Sequence, residues 1–159
     1  MATVTIKNID RLTQKLNRIS NMELKETMIK ATNLVHGQAK LLALVDTGNL
    51  AGSIHQEVKE VNKNIEGRVY TNLEYAPYVE FGTGIKGNGT YPYDIEGLNL
   101  SYRDSPWCYY NKDDELIWTK GQEAQPYMYP ALKMHEKTIR ELFKNGVRTK
   151  LKESCKGGR

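Results

Sequence analysis

An Asp-Thr-Gly triplet, formed by Asp46, Thr47 and Gly48, is the part of the sequence that looks most like a catalytic motif. Aspartic proteases place a catalytic aspartate in such a turn, and their chemistry needs two carboxylates that share one proton. Here a single triplet follows a helical pattern instead of a strand, so a protease would require a homodimer. Asp46 and Thr47 are better explained as a helix stop and the cap of a short turn, with Gly48 permitting tight geometry.

Other side chains that could do chemistry are scattered. The histidines His36, His55 and His135 fall on three different predicted elements, and the two cysteines match no metal spacing. Glu74 and Glu80 are six residues apart, and paired carboxylates can cleave glycosides. On a short aromatic segment, however, they are better suited to anchoring backbone amides or pairing with a basic partner. We therefore expect a protein that is not an enzyme and has no metal or other cofactor.

Length and composition describe a folded chain. Its 159 residues suit one domain, and 39% hydrophobic with 26% charged residues excludes a disordered or membrane-embedded class. No apolar run approaches the roughly 20 residues that a spanning helix needs. The first ten residues lack the layout of a secretory signal, so we expect a cytosolic product without a membrane partner. We predict one α+β domain over residues 1–145 and a basic extension over residues 146–159.

Helical patterns occupy both ends of the chain. Apolar residues at spacings of three and four predict a first helix that ends near Ser20. Ser20 and Glu23 form a capping box, which predicts that a second helix starts there. The last helix is predicted from about Pro130, a residue that suits a first helical turn. Gly146 is a candidate for its end or for a bend, but apolar residues at 147, 151 and 155 could prolong it into the basic tail.

Two β-hairpins are predicted between these helices. Residues 53–61 and 65–71 are β-compatible and flank a short polar turn, and residues 106–111 and 115–119 form a similar pair. Pro77 keeps residues 73–81 out of a sheet interior, so this segment is predicted as a single helical turn or an edge. The order predicts an α+β fold, in which two antiparallel hairpins form a small sheet with an N-terminal helix pair and a C-terminal helix.

The segment over residues 82–105, which we call the arm, has a different character. Five glycines fall among its first 23 residues, and periodicity is weak, which predicts a long extended loop. The Gly-Lys-Ser/Thr ending of a phosphate-binding loop is missing. Loops of this length are commonly functional, and tyrosines at 91, 93 and 102 suit a segment that a partner orders.

Three stretches in a fixed order resemble one known family. They are DTGNLAGSI at 46–54, YAPYVEFGTG at 75–84 and GQEAQPYMYPAL at 121–132. Together they are similar to the bacteriophage minor tail-component family, whose members are also called tail-completion, neck or head–tail joining proteins. The matching positions are Asp46, Thr47, Gly48, Leu50, Tyr75, Ala76, Val79, Glu80, Gly82, Thr83, Gln125, Pro126, Tyr127, Pro130, Ala131 and Leu132.

This resemblance implies a structural part of a phage or phage-tail-like particle, assembled in the bacterial host cytoplasm and located in the virion tail or neck. Such proteins form rings, usually six-fold, at the head-proximal end of a tail. The ring completes or terminates the tail and joins it to the neck or connector. The implied partners are further copies of the chain and neighbouring tail-tube, sheath or connector rings, with DNA passing through the lumen without specific binding.

The resemblance also suggests roles for individual residues. A ring uses a heterologous interface, in which one face of a subunit meets a different face of the next. Gly82 and Gly84 would then form a hinge for the arm, with the Glu80 carboxylate fixing where the arm leaves the body. Gln125 with Pro126 would direct the chain into the last helix. The candidates for subunit contacts are Tyr75, Tyr78, Glu80, Phe81, Tyr91, Tyr93 and Tyr102.

A second hypothesis rests on the C-terminus. From Lys144 onward there are six basic residues and one acid, a surplus that exceeds the net charge of +4 of the whole chain, so residues 1–143 are close to neutral. Such a tail is often a solvated helix end. It would also suit a small nucleic-acid-binding module that uses Lys144, Arg148, Lys150 and Lys152, or a contact with a partner ring. DNA binding of this kind would depend on salt and would be lost when the tail is removed.

Overall fold

The computed structural model of the chain describes residues 9–43, 48–62 and 64–156. Asp46 and Thr47, predicted to stop a helix and cap a turn, lie outside the described residues. In chain order the elements are helix α1 (Ile9–Leu42), helix α2 (Asn49–Gly52), strands β1 (Ile54–Val61) and β2 (Asn64–Thr71), helices α3 (Ala76–Phe81) and α4 (Gly84–Gly87), strands β3 (Trp107–Tyr110) and β4 (Leu116–Thr119), and helix α5 (Met128–Lys156).

The predicted α+β class is confirmed, as are both hairpins and the short helix at residues 76–81. Strand β1 pairs with β2, and β3 pairs antiparallel with β4. In the described part of the chain these are two separate two-stranded sheets, and not the single small sheet that was predicted. Because no strand of one hairpin pairs with a strand of the other in that part, each hairpin keeps both of its outer edges.

The predicted helix pair at the N-terminus is wrong. One helix runs without interruption from Ile9 to Leu42. Ser20 and Glu23 satisfy a capping pattern, but a cap forms only where the preceding helix stops. No proline or glycine lies between residues 9 and 36, and Ser, Asn and Met are tolerated in a helix interior.

Helix α5 begins slightly earlier than predicted, and of the open alternatives for its end it takes the longer one. It begins at Met128, two residues before Pro130, and it continues past Gly146 to Lys156. A β-carbon at Gly146 would lie 3.3 Å from the hydroxyl oxygen of Thr27 on α1. Glycine therefore admits a close approach of the two helices here, which offsets the roughly 1 kcal/mol that an interior glycine costs a helix.

The chain forms two compact units. The first comprises Met1–Leu34, Gln56–Val69 and His135–Arg159. Strand β2 lies close to α1 in this unit, because a β-carbon at Gly67 would lie 2.9 Å from the sulfur of Met28. The Gln56 side-chain amide of β1 donates to the side-chain oxygen of Asn33 on α1 at 2.5 Å.

The second unit comprises Val35–His55 and Tyr70–Met134, and it holds most of the buried side chains. Its described core consists of Val35, Ala39, Ala43, Leu50, Ile54, Ala76, Tyr127 and Ala131. The His36 ring nitrogen Nε2 lies 3.0 Å from the carbonyl oxygen of Ile54, which ties α1 to the start of β1. Within the described residues, no helix is both long and apolar enough to cross a membrane.

Candidate functional site

A buried carboxylate is the most constrained polar group of the second unit. Glu80 lies on α3 and is 5% exposed. Its Oε2 accepts hydrogen bonds from the backbone N–H groups of Tyr127 at 2.7 Å and Met128 at 2.8 Å. Its Oε1 accepts one from the backbone N–H of Tyr129 at 3.1 Å. Glu80 therefore caps the N-terminus of α5 from 47 residues upstream.

This cap provides the hydrogen-bond acceptors that every helix N-terminus needs. The first N–H groups of a helix lack partners within the helix, and a negative charge close to them is stabilising. The segment before α5, GQEAQP, has no Ser, Thr, Asp or Asn that could cap locally. A carboxylate from α3 therefore accepts all three hydrogen bonds with its two oxygens, and it links two of the sequence stretches on which the family resemblance rests.

Backbone hydrogen bonds link the same two stretches side by side. The Thr83 N–H donates to the Gln122 carbonyl at 2.9 Å, and the Gln122 N–H donates back to the Thr83 carbonyl at 3.1 Å. The Gln125 N–H donates to the Val79 carbonyl at 2.8 Å. The side-chain amide of Gln122 donates to the Tyr78 carbonyl at 2.9 Å. Residues 78–83 and 122–129 thus form one connected backbone framework.

The arm packs against its own unit in this single copy. Ring centroids of Phe81 and Tyr91 are 5.0 Å apart, those of Tyr91 and Tyr93 are 5.6 Å apart, and those of Tyr93 and Tyr129 are 4.9 Å apart. These are favourable edge-on and tilted geometries. The Tyr102 hydroxyl donates to the Phe81 carbonyl at 2.9 Å. The tyrosines predicted to reach a neighbouring copy are therefore half-buried within their own chain.

Two tyrosines near Glu80 have altered acidity. Burial raises the pKa of Tyr91 to about 12, and the nearby Glu80 carboxylate adds to the shift. Burial raises the pKa of Tyr127 to about 12 as well, again with a contribution from Glu80. The Tyr91 hydroxyl is buried, and it has no hydrogen-bond partner among the described residues. A phenolate at either position would be desolvated and repelled by Glu80.

Replacing Tyr91 by phenylalanine should therefore leave stability at pH 7 unchanged or raise it by up to about 1 kcal/mol, because no hydrogen bond is lost. In alkali the folded chain keeps protons that the unfolded chain releases from about pH 10. The stability present below pH 10 therefore falls as the pH rises towards 12, by about 1–2 kcal/mol per tyrosine. Tyr91→Phe should lose less stability in alkali than wild type does, and melting temperatures over a pH series would measure the difference.

Exposed Tyr109 provides the control for this pH series, since Tyr109→Phe should follow the wild-type curve. Equal alkaline losses in wild type and Tyr91→Phe would contradict the placement of the Tyr91 hydroxyl.

An open groove is lined in part by the bridged residues Thr83 and Gln122. Its volume is about 810 Å³, which is within the range of ordinary binding pockets. Among the described residues that line it, Arg103 alone is charged. The Arg103 guanidinium lies 5.6 Å from the ring centroid of Trp107, a cation–π arrangement. We call this surface the aromatic groove; its principal lining residues are Tyr75, Tyr78, Tyr102, Arg103, Trp107 and Gln122.

A second apolar surface is on the β3–β4 hairpin, and sequence reasoning missed it. Cys108 pairs with Trp118 and Tyr110 with Leu116, so these four side chains share one face. Tyr110 is 70% exposed and Trp118 69% exposed, and Leu116 and Cys108 are also exposed. We call these four residues the hairpin face.

The remaining candidates are distributed as follows. Tyr75 and Tyr78 are exposed, and the Glu80 carboxylate is bonded within its own chain. Gly48 has a positive φ of 73° and precedes α2, in which Leu50 is buried. Pro126 and Pro130 are half-buried and Gln125 is exposed. Lys144, Arg148 and Lys152 are exposed along α5, and the side chain of Lys150 lies outside the description. In the described part of the chain, no cluster of His, Cys, Asp or Glu could hold a metal.

The second unit therefore combines a carboxylate bound to backbone amides with two exposed apolar surfaces. Residues 5–82 match the family model described as "Bacteriophage HK97-gp10, putative tail-component". This confirms the predicted resemblance to the bacteriophage minor tail-component family. The matched range includes the Asp-Thr-Gly triplet and Glu80. Comparison with curated proteins and with solved structures gave no significant match.

The family suggests a structural, non-enzymatic role in a phage tail. It implies that the protein is a part of the virion and that it contacts other tail or virion proteins.

Proposed function

We propose that the chain forms a ring at the head-proximal end of a phage tail, completes or terminates that tail, and joins it to the neck or connector. Six-fold symmetry is the expected arrangement. The observation that carries the proposal is the exposed apolar surface of the second unit, where Tyr78 is 58% exposed and Trp118 69% exposed. Large exposed apolar side chains gathered in a groove or on one face of a hairpin commonly mark a protein–protein contact.

A ring needs two different contact surfaces on each subunit, because its interface is heterologous. The aromatic groove and the hairpin face are two such surfaces on one unit. Tyr75 and Tyr78 remain our candidates for subunit contact because they line the groove and are exposed. Tyr91, Tyr93 and Tyr102 would take part through the arm, as a support that holds the groove wall in place.

The basic end of α5 is assigned to a partner ring in this proposal. Lys144, Arg148 and Lys152 recur every fourth residue, which places three exposed cations along one face of the helix. A lumen through which DNA slides would be hindered by strong positive charge, so this stripe would face a neighbouring ring of the tail or connector. The same stripe is also what a nucleic-acid-binding module would use. We treat residues 1–145 as the assembling domain and residues 146–159 as its basic extension.

The full-length chain should therefore form a closed multi-subunit species in solution, because each subunit carries both halves of the interface. Light scattering after gel filtration gives the mass, and negative-stain images give the symmetry. The arm should be cut by protease in any monomer fraction and protected in the assembled ring. Charge reversal of Lys144 with Arg148 should leave the ring intact, because the stripe is assigned to a different partner.

A strictly monomeric chain over a wide concentration range, with an arm that resists protease throughout, would reject the ring. Salt-dependent DNA binding by that monomer, lost on truncation at Asn145, would support the nucleic-acid-binding module instead.

A further inference from the structure

We propose that the hairpin face of one copy binds in the aromatic groove of the next copy, and that this contact is the repeating interface of the ring. The inference rests on the proposed function and names the two surfaces that meet. Both surfaces belong to the second unit, so each copy carries a donor face and an acceptor groove. Such a head-to-tail contact propagates around a ring until it closes.

The hairpin has two unequal faces. Trp107 and Tyr109 lie on the side that lines the groove of the same chain. Cys108, Tyr110, Leu116 and Trp118 lie on the opposite side. All four of these outward residues are exposed, although three of them are large and apolar. The inward side thus belongs to the chain's own groove, and the outward side is left for another molecule.

The hairpin is held rigidly enough to act as a preformed ligand. The Asn111 side-chain oxygen accepts from the backbone N–H groups of Asp113 and Glu115, each at 2.9 Å. The Asn111 N–H donates to the Glu115 carbonyl at 3.0 Å, which closes the turn. Binding a segment that is already ordered loses less conformational entropy than binding a flexible one.

Charge is complementary between the two surfaces. The turn of the hairpin carries Asp113, Asp114 and Glu115 against one Lys112, and all four are exposed. The aromatic groove carries one cation, Arg103. Its Nε donates to the hydroxyl of Ser105 at 3.2 Å, so the two terminal nitrogens point away from that bond. No carboxylate pairs with Arg103 in the described part of the chain. A guanidinium displayed in this way suits a bidentate contact with a carboxylate.

Size also favours a second copy as the occupant. The two exposed aromatic side chains and Leu116 would bury on the order of 300–400 Å² on the hairpin side. A standard interface buries about 800 Å² per partner, so the hairpin would provide a central part of it. The groove volume of about 810 Å³ is large enough for a few bulky side chains. Two copies of one chain supply both halves without any further partner.

The test uses two full-length variants. The hairpin variant carries Tyr110→Ser and Trp118→Ser, and the groove variant carries Tyr78→Ser and Arg103→Asp. All four positions are exposed, so folding should be retained, which circular dichroism checks. Met134→Ser is the matched control, because Met134 is equally exposed and lies in the same unit outside both surfaces.

Each variant alone should be monomeric by light scattering, with assembly weakened at least a hundredfold, whereas Met134→Ser should assemble like wild type. A 1:1 mixture of the two variants should give heterodimers and nothing larger. In that mixture one intact hairpin face meets one intact groove. The pair then has no further intact surface with which to bind a third copy. A groove variant that still dimerises alone would show hairpin-to-hairpin pairing and would overturn the inference.

A charge exchange tests the orientation of the contact. Arg103→Asp should weaken assembly at least tenfold, and Asp113→Arg should do the same. The double variant should regain most of the loss, because the pair is restored between neighbouring copies. No recovery would count against the proposed register. If wild type forms rings and both surface variants still do, the hairpin–groove contact is wrong and the ring stands. If wild type is a monomer throughout, both proposals are wrong.

Discussion

Replacing Glu80 by alanine should lower the free energy of unfolding by about 3–5 kcal/mol, because three backbone N–H groups at the start of α5 lose their acceptor. The Tyr127 amide is buried, so water cannot fully replace the carboxylate there. A loss of this size is near the upper end for single substitutions. In a chain of this length, it should lower the melting temperature by roughly 10 °C. Thermal and urea unfolding followed by circular dichroism would measure the loss.

Two further variants separate the cap from general effects of the segment. Glu80→Gln keeps the side-chain volume and one oxygen acceptor, so we expect a smaller loss of about 1–2 kcal/mol. Glu74→Ala removes an exposed carboxylate from the same stretch and should change stability by less than about 0.5 kcal/mol. Similar results for Glu74→Ala and Glu80→Ala would contradict a structural role for the Glu80 carboxylate.

The parts of the fold that sequence predicted well are those set by local pattern. Runs of β-compatible residues around polar turns predicted both hairpins, and Pro77 left a helical turn or an edge for the segment that forms α3. The predicted break at Ser20 failed, because a capping box describes how a helix starts and says nothing about whether the preceding one has stopped. No proline or glycine near Ser20 stops the first helix, so it continues through the capping pattern.

The candidate site was only partly predictable because its contacts are long-range. The sequence identified the stretches around Glu80 and Gln125, but it could not indicate that a carboxylate in one would cap a helix that begins beyond the other. Backbone amides leave no mark on sequence, and the cap spans 47 residues. The arm tyrosines were assigned to a neighbour on composition alone. Their rings pack on Phe81 and Tyr129 in a single copy. This packing depends on long-range contacts and could not be predicted from composition.

The hairpin face was missed for a different reason. Its strands are four residues each, too short for a clear alternation of polar and apolar residues. Trp118 and Tyr110 are also of residue types that are common in a protein core. When one face of a two-stranded hairpin packs against its own chain, the opposite face stays exposed unless another element covers it. Which face is open depends on the pairing register, and this register is known from the structure.

Gly121→Ala should have an effect comparable to that of Glu80→Ala, with a loss of about 4 kcal/mol. Gly121 has a φ of +93°, which L side chains rarely adopt. A β-carbon there would overlap the carbonyl of Thr83, with the Thr83 carbonyl carbon at 2.5 Å and the Cα of Gly84 at 3.0 Å. Backbone atoms cannot rotate away as a side chain would, so the Thr83–Gln122 bridge must open. Urea unfolding at neutral pH would measure the loss.

The matched control is Gly89→Ala, because Gly89 also has a positive φ of 73° and an added β-carbon there would meet open space. It should cost about 1–2 kcal/mol, the strain of the left-handed backbone alone. The difference between the two variants then measures the backbone contact. Gly84 and Gln122 line the aromatic groove, so opening the bridge should also weaken assembly. Gly89→Ala should leave assembly intact, because Gly89 does not line the groove. Equal effects of both variants on assembly would contradict the idea that opening the bridge disturbs the groove.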